Sequence, residues 1–322
     1  MDRRRLLLAA GFAAAAPRLA SAQAWPEGRT ITLIVPFPPG GGTDVVTRVI
    51  ADRLAAILKC RFVIENRPGG GGSIGYLAAI KAPADGSVMM LTSSAIATMP
   101  YLYPSKGYDP LRDLTPISQV GSTPSLICVG PSVKARTLSE FVAEAKARPD
   151  EMTYASAGIG SGLHLGAETF CKRAGIRVKH VPYKGSSLAT GDLLGGRIDM
   201  ICDALPAVQA LVTDRQLGAL AITTARRSKL APDVPPASET VPGYEYSAWF
   251  GLFLPAKVPA GMAEQVQTAL AKVVAQPDFQ DKVAVLGIET LGSTPSDFQA
   301  FMQADFKRWQ DAIKELGITA DR

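Results

Sequence analysis

The chain has 322 residues, with 34 Lys and Arg against 29 Asp and Glu for a formal charge of +5. Its hydrophobic set makes up 47% and its charged set 20%, which excludes a disordered chain and supplies more apolar surface than one core holds. Arg3, Arg4, Arg5 and Arg18 against Asp2 account for +3 of the charge, so the remainder carries only +2. With no Lys/Arg stripe interleaved with aromatics, nucleic acid is not an expected partner.

The first 24 residues read as an export signal. Asp2–Arg5 is a charged start, Leu6–Ala16 an apolar stretch too short to span a bilayer, and Ala20-Ser21-Ala22 a small-residue cleavage site. Cleavage falls after Ala22 or Ala24, and both the secretory and twin-arginine routes suit the arginines. No later stretch reaches the ~18 apolar residues of a membrane helix, so a soluble exported protein is expected.

Beyond the signal, Ile31–Val35 predicts a strand that runs into the turn Pro36–Asp44, and a helix follows over Thr43–Leu58 with Val45/Val46, Val49/Ile50, Leu54 and Ile57/Leu58 as its apolar stripe. Glycines there bring backbone N–H groups close to a ligand, and a helix N-terminus favours an anion. The lysine of a phosphate loop is missing, and Asp44 would repel a phosphate. Thr43 or Asp44 can cap the helix. A strand at Phe62–Glu65 leads to a second turn, Asn66–Gly75. It holds Gly70-x-Gly72-x-x-Gly75, but no acidic residue follows within Leu91–Ile96, so a dinucleotide site is rejected. The glycines are read instead as allowing close packing of the helix Ser73–Lys81.

Further strands are expected at Val88–Thr92, Leu126–Val129, Met152–Ala155, Val178–Val181, Ile198–Cys202, Leu220–Thr223 and Trp249–Leu254. Helices fall near Leu138–Arg148, Leu163–Ala174, Leu188–Leu194 and Pro206–Val212. Thr137 with Glu140 forms a capping box. The turn Tyr154–His164 repeats the design of the first. Alternating strands and helices point to parallel sheets covered on both faces. After Pro255 come two or three helices, the last capped by Thr294 with Pro295 in its first turn. The stretches 121–124 and 242–247 look like crossings between domains. Lobe 1 is then 25–124 plus 247–322, and lobe 2 is 125–246.

Catalytic signals are thin. The chain has two histidines, no Gly-x-Ser-x-Gly elbow and no metal spacing. His164 in a first helical turn suits a structural role better than catalysis, and His180 ends a strand. Asp203 at a strand end can face a cleft or cap the next helix. Lys184 can pair with an acid, although a solvated loop lysine is the simpler reading. Cys60, Cys128, Cys171 and Cys202 lack framework spacing and are read as free thiols, with one disulfide as the lesser alternative.

Eight segments, in order from about Trp25 to Ile318, resemble the Bug-type extracytoplasmic solute receptors of tripartite tricarboxylate transporters. They are Val35–Asp44, Glu65–Gly75, Pro83–Gly86, Tyr108-Asp109, His164-Leu165, His180–Gly185, Asp192–Gly196 and Trp249–Leu252. The resemblance implies an α/β, two-lobed periplasmic-binding-protein type II fold with a hinged cleft. It implies no enzyme activity, cofactor or metal, but a monomer that carries a small carboxylate to integral-membrane permease subunits. Carried over to this chain, it puts Phe37, Pro39, Gly40, Gly41, Thr43 and Asp44 on one side of the ligand. Ser156, Gly158, Gly160 and His164 face them, with Ser93 and Asp203 as further wall positions. Two rivals remain: a module presenting its ligand to a membrane histidine kinase, and an exported hydrolase.

Overall fold

Residues 25–40, 42–103, 107–158, 161–183, 186–285 and 287–317 are described in a computed structural model. The elements begin with β1 (Thr30–Val35), α1 (Gly42–Leu58), β2 (Arg61–Asn66), α2 (Ser73–Ile80), β3 (Val88–Ser93), α3 (Ala95–Leu102), α4 (Pro110–Asp113) and β4 (Leu114–Val129). They continue with α5 (Leu138–Ala147), β5 (Thr153–Ser156), α6 (Gly162–Ala174), β6 (Lys179–Pro182), α7 (Ser186–Leu194), β7 (Met200–Ala204), α8 (Leu205–Thr213) and β8 (Gly218–Ile222). The chain closes with β9 (Ser247–Pro255), α9 (Met262–Val274), α10 (Pro277–Ala284), β10 (Glu289–Thr290) and α11 (Pro295–Leu316).

Strand β4 organises the molecule. From Leu114 to Pro124 it pairs with β9, and from Ser125 to Val129 it pairs with β7 and β8. The order β2-β1-β3-β9-β4 lies on one side and β4-β7-β5-β6 on the other. The result is a two-lobed α/β fold. Pairings β1–β2, β1–β3, β5–β6 and β5–β7 are parallel, as alternation predicts. Those of β4 and β9 are antiparallel, so the sheet is mixed rather than parallel. The reason is directional: β4 leaves the first lobe and β9 returns to it, so the two crossings run in opposite senses.

Two elements go beyond the sequence reading. Strand β4 contains Pro116 and, within the stretch read as a crossing between domains, Gly121 and Pro124. The strand absorbs them with register shifts between Pro116 and Ser118 and between Gln119 and Gly121. Gly121 is required there, because a Cβ would lie 2.5 Å from the Glu289 carbonyl oxygen of β10. Helix α3 contains Pro100 and was not expected.

Other local signals fold as read. Thr137 and Glu140 form both bonds of the capping box, and Thr294 accepts from the Asp297 N–H with Pro295 in the first turn of α11. Helix α1 buries Val46, Ile50 and Leu54 completely, each contributing about 1.5–3 kcal/mol. Helix α11 closes over the crossing strands. Trp249 of β9 packs edge-on against Phe298 at 5.5 Å, and its Nε1–H donates to Asp305 at 2.9 Å. Among the described residues, no helix is long and apolar enough to cross a membrane. All four cysteines are free thiols, three of them buried.

Candidate functional site

The two crossing strands floor a cavity of about 410 Å³ between the lobes. Ser125, Tyr246, Ala248 and Phe250 line it near the crossings. Phe37, Ser93, Ser94, Ala95 and Thr98 face it from the first lobe. Ser161, Gly162 and Leu163 face it from the second.

Those two walls are helix starts. Helix α3 opens at Ser94, whose carbonyl takes the Ala97 N–H at 3.0 Å. Helix α6 opens at Ser161, whose hydroxyl accepts from the His164 N–H at 3.3 Å and whose carbonyl takes the Leu165 N–H at 2.9 Å. The earlier first-turn amides, at Ala95 and Gly162, belong to the set with no intrahelical acceptor. Each start carries about half a positive charge, so a carboxylate suits the space between them. Gly162 lets its wall come close, since a Cβ there would run into the Tyr246 hydroxyl.

The first glycine-rich turn is held from behind by charge. Asp44 is 2% exposed and both its oxygens are occupied. Oδ2 accepts from the Gly40 N–H and Arg48 Nε, each at 2.9 Å. Oδ1 accepts from Asn66 Nδ2 at 2.9 Å and from Arg48 at 3.0 Å. The Arg48 guanidinium holds the carboxyl down at about 2, against the opposing effect of burial. Asn66 also donates to the Phe37 carbonyl at 3.0 Å, so the second turn positions the first.

The third turn is held by neutral groups. Fully buried Ser156 accepts from the Gly158 N–H at 3.1 Å, and its Oγ lies 2.6 Å from His180 Nε2. That distance would suit a serine–histidine dyad, but the hydroxyl is enclosed within its own turn. The His180 ring stacks on His164 at 4.1 Å and on Tyr154 at 4.9 Å. The Tyr154 hydroxyl donates to Glu168 at 2.5 Å. Burial first, and then the His180 charge, push His164 down to about 4.

Of the residues expected to hold a ligand, Phe37 and Ser93 line the cavity. Thr43, Asp44, Ser156, His164 and Asp203 are buried. For Asp44 this corrects the picture of a carboxylate in the mouth, because a buried charge needs partners and Arg48 and Asn66 supply them. His164 is likewise stacked behind the turn, while its backbone N–H anchors the start of α6. Asp203 accepts from the Ala204 N–H at 2.7 Å, and it is Ala204 that reaches the cavity. Pro39 and Gly40 are exposed on the loop, and Gly158 is half-buried with a left-handed φ of 126°. Gly41, Gly160 and Lys184 lie outside the described residues.

Sequence reasoning missed Ser94, Ala95, Ser125, Gly162, Tyr246 and Trp309 in the lining. The pair Ser93-Ser94 after a strand was an available cap signal. Tyr246 and Trp309 carry no local signal of a cleft position. Asn66 sat inside a quoted segment, and only its contacts reveal what it does. The second turn does pack as read at Gly75, where a Cβ would lie 2.7 Å from Pro36 Cα.

The chain matches the model of the tripartite tricarboxylate transporter family receptor over residues 46–318. It is 35% identical to Protein BugT of Bordetella pertussis, over 98% of this chain and 99% of that one. Among solved structures it is similar to Rpa4515 of R. palustris with adipate, at 35% identity and a TM-score of 0.78, covering 92% of this chain and 99% of the other. It is also similar to MatC of Rhodopseudomonas palustris with bound malate, at 28% identity and a TM-score of 0.74, covering 88% and 99%. With sequence, fold and cleft in agreement, the chain belongs to the Bug-type receptor family of tripartite tricarboxylate transporters.

Proposed function

We propose that this protein is an exported receptor that captures a small carboxylate between its lobes and delivers it to membrane permease subunits. One observation carries the reading: the starts of α3 and α6 open onto a single interlobe cavity from opposite sides. Charge-assisted hydrogen bonds from such donors contribute about 1.5–3 kcal/mol each, so a few of them plus burial reach the ~8 kcal/mol of a micromolar ligand. Carboxylates in the similar structures, adipate and malate, support the same class of solute here. The lobes divide as 25–124 plus 247–322 and 125–246, since the partners of β4 change between Pro124 and Ser125. A solute that touches both walls favours the closed arrangement over the open one, and the closed surface is what a permease reads. Residues 1–24 serve as the export signal and bring the chain to the periplasm.

A thermal-shift panel of mono-, di- and tricarboxylates, amino acids and aromatic acids tests the capture step. At ~100 times Kd a bound acid adds about 2.7 kcal/mol of stability. Absence of stabilisation across the whole panel removes the receptor reading. For delivery, cells lacking this protein should lose uptake of the stabilising acid and regain it on complementation. Undiminished uptake would leave the protein without a transport role.

A further inference from the structure

Apart from the serines at the helix starts, the lining is mostly apolar. Met99, Leu102, Leu165, Phe250 and Trp309 supply it, with Tyr246 beside them and Thr98 and Tyr103 as further polar groups. The apolar ones and Tyr246 are each at most 7% exposed. Among the described residues, no Lys, Arg, His, Asp or Glu side chain lines the cavity. Charges close to the floor are committed elsewhere. Arg308 lies over the Trp309 ring at 5.3 Å, donates to the Glu245 carbonyl at 3.2 Å and pairs with Asp305. Asp305 is itself 3% exposed and also takes the Trp249 indole N–H at 2.9 Å.

From this we infer that the solute carries a single carboxylate on an apolar body of about ring size, and that it is an aryl-alkyl monocarboxylate rather than a di- or tricarboxylate. This rests on the receptor reading above and deepens it. The carboxylate sits at the helix starts, where donors and partial positive charge converge. A second carboxylate would be pressed among Met99, Leu102, Phe250 and Trp309, without the partner that a buried charge requires. An aromatic body gains there instead. Trp309 and Tyr246 meet edge-on at 5.9 Å, a wall against which another ring packs edge-to-face or offset. The size also fits: apolar cavities of about 150 Å³ hold benzene, and the 410 Å³ here leave room for a ring, a short arm and the carboxylate.

Titration calorimetry with 3-phenylpropanoate, adipate, malate and citrate tests the assignment on the full folded protein. We expect 3-phenylpropanoate to bind at least tenfold tighter than any of the other three. Equal or tighter binding of adipate, malate or citrate overturns the monocarboxylate assignment and leaves the receptor reading standing. Failure of every acid, here and in the broad panel, overturns both. A Met99→Lys substitution places a cation in the apolar part. It should weaken 3-phenylpropanoate and strengthen adipate, each about tenfold, while Met99→Leu keeps the wild-type preference. An unchanged preference in folded Met99→Lys also overturns the assignment.

Discussion

The first and third glycine-rich turns share a plan of strand, small-residue loop and helix, yet they are held in opposite ways. Behind the first, a buried carboxylate is neutralised by Arg48 and hydrogen-bonded by Asn66. Behind the third, Ser156 and two stacked histidines do the work without a net charge. In each turn a backbone N–H is taken by a side chain behind it, Gly40 by Asp44 and Gly158 by Ser156. The contrast shows that one local plan of strand, loop and helix does not dictate one means of support.

Acid separates the two turns most strongly. His164 is depressed from 6.5 to about 4, so the unfolded chain takes up a proton before the folded one does. Its stabilising effect is full above about pH 6.5 and is lost as the pH falls toward 4, amounting to about 3 kcal/mol. Burial depresses His180 in the same direction. Chemical denaturation at pH 7 and pH 4.5 should show this loss, and His164→Phe, which keeps a stacking ring, should flatten it. An equal slope in wild type and variant would put the acid sensitivity elsewhere.

The first turn fails only in stronger acid. Asp44 has its pKa lowered to about 2, so its contribution is present above the unfolded value near 4 and lost as the pH falls through 2. Asp44→Ala at neutral pH should cost about 2–3 kcal/mol, because it strands the Gly40 N–H and Asn66 behind a half-exposed Arg48. Urea denaturation measures it. A loss below 0.5 kcal/mol would mean that the turn is held by other contacts.

Asn66→Ala is the gentler break. It removes the bonds to Phe37 and Asp44 at a cost of about 1–2 kcal/mol, and it should weaken ligand binding by loosening Phe37 at the cavity. Affinity equal to wild type would show that Phe37 needs no such support.

These differences also mark what can be read from a sequence. Local signals survived folding: the Thr137–Glu140 box, the Thr294-Pro295 start and the apolar face of α1. Elements that break a local rule did not show. Helix α3 and the part of β4 before Leu126 were not expected, and they contain Pro100 and Pro116, residues that local rules disfavour inside an element. The site was half legible. Small residues after a strand identified the turns, and of the positions carried over from the family resemblance Phe37 and Ser93 line the cavity. What supports the turns was not legible, because Asn66 meets Asp44 across 22 positions and joins a lock that neither residue announces alone. Trp309 enters the cavity from the last helix, where its spacing marks it only as core.

The central claim is that helix starts from both lobes recognise the charge of a carboxylate. The most direct test is calorimetric titration of a binding acid against its primary amide, which has the same shape and no charge. We predict that the acid binds at least 100-fold tighter, about 2.7 kcal/mol. An amide that binds as well as the acid would contradict the account, leaving the cavity as an apolar pocket indifferent to the anion.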